Sequence, residues 1–145
     1  MTVEDAGEVL TLQRAAYATE AQIYGDPFLP ALTQTLSELQ DELRVGSGAV
    51  ALDGARIVAA VRWTVENGTV HIGRLTVAPD QQGKGLGTTL LRRAEHDSQA
   101  TRAELFTGHL SQANIRLYVR EGYAETRRET LRDGVELVYL VKPLS

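Results

Sequence analysis

The chain has 145 residues, 43% of them apolar and 23% charged, with 15 Lys and Arg against 19 Asp and Glu. This composition is typical of one soluble globular domain, and the net charge of −4 argues against nucleic acid as a partner. Cysteine is absent, the three histidines are scattered, and no apolar run approaches the roughly 20 residues of a membrane span. We therefore expect a cytoplasmic domain with no metal site, no membrane contact and no signal peptide.

The first half of the sequence predicts two helices followed by three strands. Apolar residues at three- and four-residue spacing predict a helix that begins near Ala6 and is broken at Gly25-Asp26-Pro27. After a loop, a second helix is predicted from about Thr35 to Leu43. The period then changes to two, and Asp53-Gly54 and Asn67-Gly68 are hairpin turn signals. The predicted strands are Ala49–Leu52, Arg56–Glu66 and Thr69–Val77.

The second half alternates helices and strands. Pro79 ends the third strand, and a glycine-rich stretch then opens directly into a helix. The predicted elements are the helix Leu86–Ser98, the strand Ala103–Thr107, the helix Ala113–Glu121 capped by Ser111, and the strands Tyr123–Leu131 and Val135–Lys142. The crossover from Thr69 to Thr107 makes those two strands parallel, whereas the other neighbours are antiparallel. The fold class is thus α+β, a single domain over residues 1–145 around a mixed, mostly antiparallel sheet flanked by helices.

The glycine-rich segment Gln82–Gly87 connects a predicted strand to a predicted helix. Such a junction binds phosphate, because backbone N–H groups and the helix dipole face the anion and glycine lets the backbone approach it. A P-loop is excluded because Lys84 is followed by Gly85 and not by Ser or Thr. The dinucleotide fingerprint is incomplete, because Thr88 stands where its third glycine belongs.

Gln82–Gly87 resembles the Gln/Arg-x-x-Gly-x-Gly/Ala signature of the GNAT superfamily of N-acetyltransferases, where it cradles the pyrophosphate of coenzyme A. About 30 residues on, Asn114-Ile-Arg-Leu-Tyr118 followed by Gly122-Tyr123 resembles the second signature of that family. The predicted order of elements matches the family topology from the first helix to the end of the chain. One feature departs from the family: its first strand should precede the first helix, but only Met1 and Thr2 stand there.

The resemblance implies direct transfer of an acetyl group from acetyl-CoA to a primary amine. The residues that it assigns to the cofactor are Leu75, Val77, Gln82, Gly83, Lys84, Gly85, Leu86, Gly87, Thr88 and Asn114. Tyr118 is the implied general acid for the departing thiolate, and its alternative role is that of a packed aromatic. His71 corresponds to a position that holds a base in some members, and it is otherwise an ordinary strand histidine. Strand alternation places residues 71, 73, 75 and 77 on one face.

The resemblance also places the acceptor between the first two helices, their connection and the final hairpin. Tyr24 and Phe28 lie in that connection and form either a wall of the acceptor site or a plug over it, while Glu20 and Asp26 are suited to attract a cationic amine. The expected acceptor is a small-molecule amine or a protein amino group. The final strands often form dimer contacts in the family, which allows a homodimer. The second hypothesis is a catalytically inactive acetyl-CoA-binding sensor or regulatory module, which a filled acceptor site would favour.

Overall fold

A computed structural model describes all residues from 1 to 145. The helices are α1 (Ala6–Tyr24), α2 (Pro30–Thr33), α3 (Leu36–Val45), α4 (Leu86–Ser98) and α5 (Gln112–Arg120). The strands are β1 (Ser47–Asp53), β2 (Arg56–Glu66), β3 (Thr69–Val77), β4 (Arg102–Gly108), β5 (Ala124–Arg132) and β6 (Val135–Pro143). None of the helices combines the length and the apolar character needed to span a membrane.

The six strands form one sheet in the order β1-β2-β3-β4-β6-β5. Every neighbouring pair is antiparallel except β3 and β4, which are parallel. This confirms the predicted α+β class with a mixed, mostly antiparallel sheet. The parallel pairing covers only Thr69–His71 against Arg102–Glu104, so β3 and β4 separate over the rest of their length.

A bulge in β3 changes which side chains face the core. Ala60 of β2 pairs with Thr76 but Arg62 pairs with Gly73, so two residues of β3 lie opposite one residue of β2. Arg74 occupies the bulge with a φ of 51°, in the left-handed region. The expectation that residues 71, 73, 75 and 77 share one face is therefore wrong, because alternation is reset between Gly73 and Leu75.

Two apolar cores lie on opposite faces of the sheet. The larger core packs α4 and α5 against all the central strands, with Leu91, Val61 and Leu140 fully buried. The smaller core packs α1 and α3 against β2 and contains the fully buried Leu39. The helices thus cover both faces of the β1–β3 half of the sheet, and the gap between β3 and β4 opens at the boundary of that half.

Two local predictions need correction, and the apparent lack of a strand before the first helix is confirmed. The connection between the first two long helices contains the short helix α2, which begins at Pro30, a residue well suited to a first helical turn. Ser111 precedes α5 but makes no side-chain capping bond to it. The first residues form a short 3-10 turn, Val3–Asp5, and the sheet starts with β1, so the described residues contain no strand before α1.

Candidate active site

The separation of β3 from β4 opens two cavities that meet beneath α1. The first, about 350 Å³ in volume, reaches toward the β5–β6 hairpin, and we call it the hairpin cavity. The second, about 420 Å³, runs along the end of β3 to the glycine segment, and we call it the loop groove. Five residues line both: Tyr17, Glu20, Leu75, Ser111 and Asn114. Two extended molecules could therefore meet end to end at this junction.

The loop groove contains most of the residues that the sequence assigned to the cofactor. Its lining includes Leu75, Val77, Gln82, Gly83, Gly85, Leu86, Gly87, Thr88 and Asn114. Gly83 and Gly85 have φ values of 80° and 78°, which explains why glycine is needed at both positions. Lys84 does not line the groove, because its exposed ammonium group is turned to Gln81 Oε1, 3.1 Å away.

The main chain of β3 borders the groove without a strand partner on that side. Beyond His71, no residue of β3 pairs with β4, so backbone groups near Leu75 and Val77 are free to bind an extended ligand. Asn114 lies where the groove meets the hairpin cavity, and its amide donates to Thr107 Oγ1 at 3.4 Å. These three residues, which the sequence assigned to the cofactor, thus all line the loop groove.

Tyr118 extends from α5 into the hairpin cavity with only 7% of its surface exposed. Burial raises the pKa of its phenol far above the usual value, and the neighbouring Tyr17 and Glu20 raise it further. No protein group forms a hydrogen bond with the Tyr118 hydroxyl, whereas the hydroxyl of the adjacent Tyr123 donates to Glu95 Oε2 at 2.7 Å. The Tyr118 hydroxyl is therefore protonated and free to donate to a bound molecule.

A chain of hydrogen bonds orients Glu20 at the junction. The Leu110 N–H donates to the Tyr24 hydroxyl, which lies 2.7 Å from the buried Ser111 Oγ. Ser111 in turn donates to Glu20 Oε2 at 2.6 Å. This bond explains why Ser111 does not cap α5. Gly108 makes the arrangement sterically feasible, because a Cβ at that position would overlap the Tyr24 hydroxyl.

Besides Lys84, two predicted site residues lie outside both cavities. His71 is exposed on the sheet face away from Leu75 and Val77, so the structure does not bring it together with Tyr118. Phe28 is 77% exposed and lines neither cavity, whereas Tyr24 forms part of the hairpin cavity wall. Neither aromatic residue plugs the cavity. Asp26 is already engaged by Arg132, at 3.2 Å, and by the Phe28 N–H.

The structure adds Tyr17, Arg74 and Ser111 to the site. Tyr17 lies one helical turn before Glu20 on α1, a spacing that was visible in the sequence once Glu20 was considered. Arg74 lines the hairpin cavity, with its guanidinium carbon 5.8 Å from the centre of the Tyr17 ring. No sequence pattern indicates Arg74 as a site residue, because the direction of its side chain depends on the bulge in β3. No three His, Asp or Glu side chains are grouped closely enough to hold a metal ion.

Comparison with known proteins places this fold among the acetyltransferases. Residues 27–144 match the family model described as "Acetyltransferase (GNAT) domain", and the chain belongs to that family. The structure resembles the PaiA N-acetyltransferase of Thermoplasma acidophilum, solved in complex with coenzyme A, with a TM-score of 0.84 at 17% identity over 99% of this chain and 95% of that one. It also resembles the ribosomal-protein-S18-alanine N-acetyltransferase of Escherichia coli, with a TM-score of 0.82 at 16% identity over 100% and 91%.

A more similar sequence is found in a longer protein. The UPF0157 protein YqkA of Bacillus subtilis is 26% identical over 133 residues, which is 91% of this chain. The chain spans 38% of the length of that relative. The identities to the solved structures are low enough that those likenesses establish the fold alone.

Proposed function

We propose that the protein transfers an acetyl group from acetyl-CoA to a primary amine by direct attack in a ternary complex. The observation that carries this proposal is the meeting of two open cavities at the β3–β4 separation, beside the free hydroxyl of Tyr118. One cavity suits a phosphate-bearing donor and the other suits an acceptor. Membership of the GNAT family and the coenzyme A complex of a structural relative support this assignment.

The loop groove would hold the cofactor. The backbone around Gly83 and Gly85, at the start of α4, is suited to the pyrophosphate because helix N-terminal N–H groups attract anions. The unpaired edge of β3 at Leu75 and Val77 would bind the pantetheine arm like an added strand. This arrangement delivers the thioester to the junction that Asn114 lines.

Tyr118 would assist departure of the thiolate. An amine that binds as its ammonium ion first loses one proton to solvent. The neutral amine nitrogen then bonds to the thioester carbonyl carbon and loses a second proton to solvent. The carbon–sulfur bond breaks, and sulfur takes the proton of the Tyr118 hydroxyl, which solvent then replaces. An ordinary phenol is a weaker acid than a thiol, with pKa values of about 10 and 8.5. Burial raises the pKa of Tyr118 and would also raise the pKa of a thiol in the same cavity, so proton donation to the sulfur would depend mainly on the position of the hydroxyl.

Binding of acetyl-CoA tests the donor half of the proposal. Thermal unfolding is measured with and without acetyl-CoA for the wild type, Gly85→Glu and the control Gly134→Glu. Both glycines have a φ of 78° and open space where a Cβ would stand, so the intrinsic strain of the two substitutions is matched. At a concentration 100 times its dissociation constant, the ligand stabilises the folded protein by about 2.7 kcal/mol. We expect that shift to vanish only in Gly85→Glu, and its absence from the wild type at millimolar acetyl-CoA would refute the proposal.

A sensor that binds acetyl-CoA without transfer is the second candidate. The open hairpin cavity favours the enzyme, because neither Phe28 nor Tyr24 occupies it. A free-thiol assay with a panel of primary amines separates the two candidates. Amine-dependent thiol release identifies an acetyltransferase, and tight acetyl-CoA binding with no release for any amine would identify a sensor.

A further inference from the structure

We propose that the acceptor is an α-amino acid with an apolar side chain, whose ammonium group binds Glu20 and whose carboxylate binds Arg74. The proposal rests on the function proposed above and names the substrate class of the same site. Its starting point is the charge distribution of the hairpin cavity: the acid Glu20 and the arginine Arg74 both line this cavity and do not pair with each other.

Glu20 is the only acidic residue that lines either cavity, and it lines both. An amine at this carboxylate would therefore lie next to the thioester. One carboxylate oxygen accepts from Ser111 at 2.6 Å, and the other oxygen has no hydrogen-bond partner in the protein. Asp26, the other acid suggested by the sequence, is already paired with Arg132. Glu20 is consequently the acid that remains free for an ammonium group.

Arg74 is the cation of this cavity that lacks an acidic partner. Arg132, the second arginine in the lining, is paired with Asp26, whereas Arg74 makes no ion pair or hydrogen bond. The positive charge of Arg74 also acts on the buried Arg62, whose pKa is lowered by burial and further by this repulsion. Glu42 compensates Arg62 at 3.2 Å, but no acid compensates Arg74. A bound carboxylate would supply the missing negative charge.

Tyr17 is a neighbour of both charged residues. The guanidinium of Arg74 lies over the Tyr17 ring, and Glu20 follows Tyr17 by one turn of α1. Side chains at this spacing start about 5–6 Å apart. Arg74 and Glu20 are thus both neighbours of Tyr17 in one cavity, an arrangement that suits a ligand whose carboxylate and ammonium group are close together, as in an α-amino acid. A peptide N-terminus has an amide where the carboxylate would be, and it would leave Arg74 uncompensated.

The rest of the cavity is suited to an apolar side chain. Eleven of its 20 lining residues are hydrophobic. They include Leu29 at the connection after α1, Ile72 on β3, and Leu131 and Leu137 on the final hairpin. Because an apolar lining excludes water, it also strengthens the interaction of each charged group with its partner.

The test measures binding directly and does not require turnover. Isothermal titration in the presence of coenzyme A compares leucine with leucinamide, 3-methylbutylamine and a short peptide that begins with leucine. Methionine and phenylalanine are tested with their own amides and decarboxylated amines. Loss of a charged hydrogen-bonded pair typically lowers the affinity about ten- to a hundredfold. We expect at least one free amino acid to bind about tenfold or more tightly than its amide and its amine.

Two variants connect this preference to the named residues. Arg74→Gln should lower the affinity for the amino acid to that for its amide, and it should leave the affinity for the decarboxylated amine unchanged. Arg116→Gln removes the same charge from an exposed, unpaired arginine on α5 and should change nothing. Glu20→Gln should weaken the amino acid and the amine alike, because both present an ammonium group.

The outcomes separate this inference from the proposed function. The inference alone would be refuted if amines were acetylated without any preference for those that carry a carboxylate. It would also be refuted if the preference for the amino acid persisted in Arg74→Gln. Tighter binding of the peptide or the amide than of the amino acid would also refute it. Selective amino-acid binding without acetyl transfer would refute the proposed function and the role of the amino acid as acceptor, while the amino-acid site at Glu20 and Arg74 would stand.

Discussion

Tyr118 and Tyr123 lie edge to face, with ring centres 6.1 Å apart, yet their hydroxyls have different surroundings. Removing the Tyr118 hydroxyl breaks no protein hydrogen bond, whereas removing that of Tyr123 leaves Glu95 with one partner fewer. We expect Tyr118→Phe to lower kcat by about 100-fold or more while the unfolding midpoint stays unchanged. Tyr123→Phe should lower the free energy of unfolding by about 1 kcal/mol and retain activity. Steady-state kinetics and denaturant titration check both, and equal effects of the two variants on kcat would argue against a role for Tyr118.

At the same scale, local signals in the sequence led to residues that line the two cavities. Gly83 and Gly85 are marked by their own type, and Tyr118 by its place in a motif. His71 was placed by counting along an unbroken strand, and the bulge at Arg74 invalidates that count. The outward position of His71 follows from the bulge three residues away, and the residue types in β3 do not indicate that bulge.

At the scale of elements, α3 begins with a reciprocal cap. The Glu38 N–H donates to Thr35 Oγ1 at 3.2 Å, and the Thr35 N–H donates to Glu38 Oε1 at 2.9 Å. We expect Thr35→Ala to lower the free energy of unfolding by about 1 kcal/mol, or the melting temperature by about 3 °C. Ser37→Ala is the control, since Ser37 is exposed in the same first turn and forms no side-chain hydrogen bond. Equal melting temperatures for the two variants would show that the cap is not stabilising.

The contact between α4 and the end of α5 makes stability depend on pH. The Arg92 guanidinium holds the pKa of Glu121 below its ordinary value of 4.5, chiefly through a hydrogen bond at 2.8 Å. Because the folded pKa is the lower one, the pair stabilises the fold above pH 4.5 and loses that effect as the pH falls through the folded pKa.

The corresponding variant is Glu121→Gln. We expect this variant to have a lower melting temperature than the wild type at pH 7, and the two melting temperatures to converge near pH 3. The difference in the free energy of unfolding should be at most about 1 kcal/mol, because Arg92 is largely exposed. Melting curves between pH 3 and 7 test this, with the exposed Glu66→Gln as control. A difference that grew toward low pH would contradict the assignment.

At the scale of the whole molecule, a buried polar network joins three helices to the sheet. The amide of Gln13 on α1 is fully buried and donates to the Ala31 carbonyl at 2.8 Å and to Gln34 Oε1 at 3.0 Å. It accepts from Arg62 Nη1 of β2 at 3.1 Å, and Arg62 is paired with Glu42 of α3. These contacts hold α1 in the position from which Tyr17 and Glu20 reach the junction.

Gln13→Ala should therefore affect the whole fold. It leaves a buried guanidinium nitrogen and a buried carbonyl without partners, each at a cost of about 1–3 kcal/mol. We expect a single cooperative transition at a clearly lower denaturant concentration, followed by circular dichroism. Gln40→Ala on α3, where the side chain forms no hydrogen bond, should be nearly neutral. Similar midpoints for the two variants would show that the network contributes little.

The sequence by itself determined the order and most of the limits of the helices and strands, the hairpin turns and the glycine-rich segment before α4. These features depend on residues within one turn or one period of each other, so the local pattern contains the information. The tertiary structure alone decided the β3 bulge, the separation of β3 from β4, and the polar partners across elements. Ser111 illustrates the difference: its type and position favour a helix cap, yet it binds Glu20, 91 residues away in sequence, because packing of α1 brings a carboxylate within reach. Which charges remain unpaired in the cavity, and so which acceptor it suits, follows from that packing.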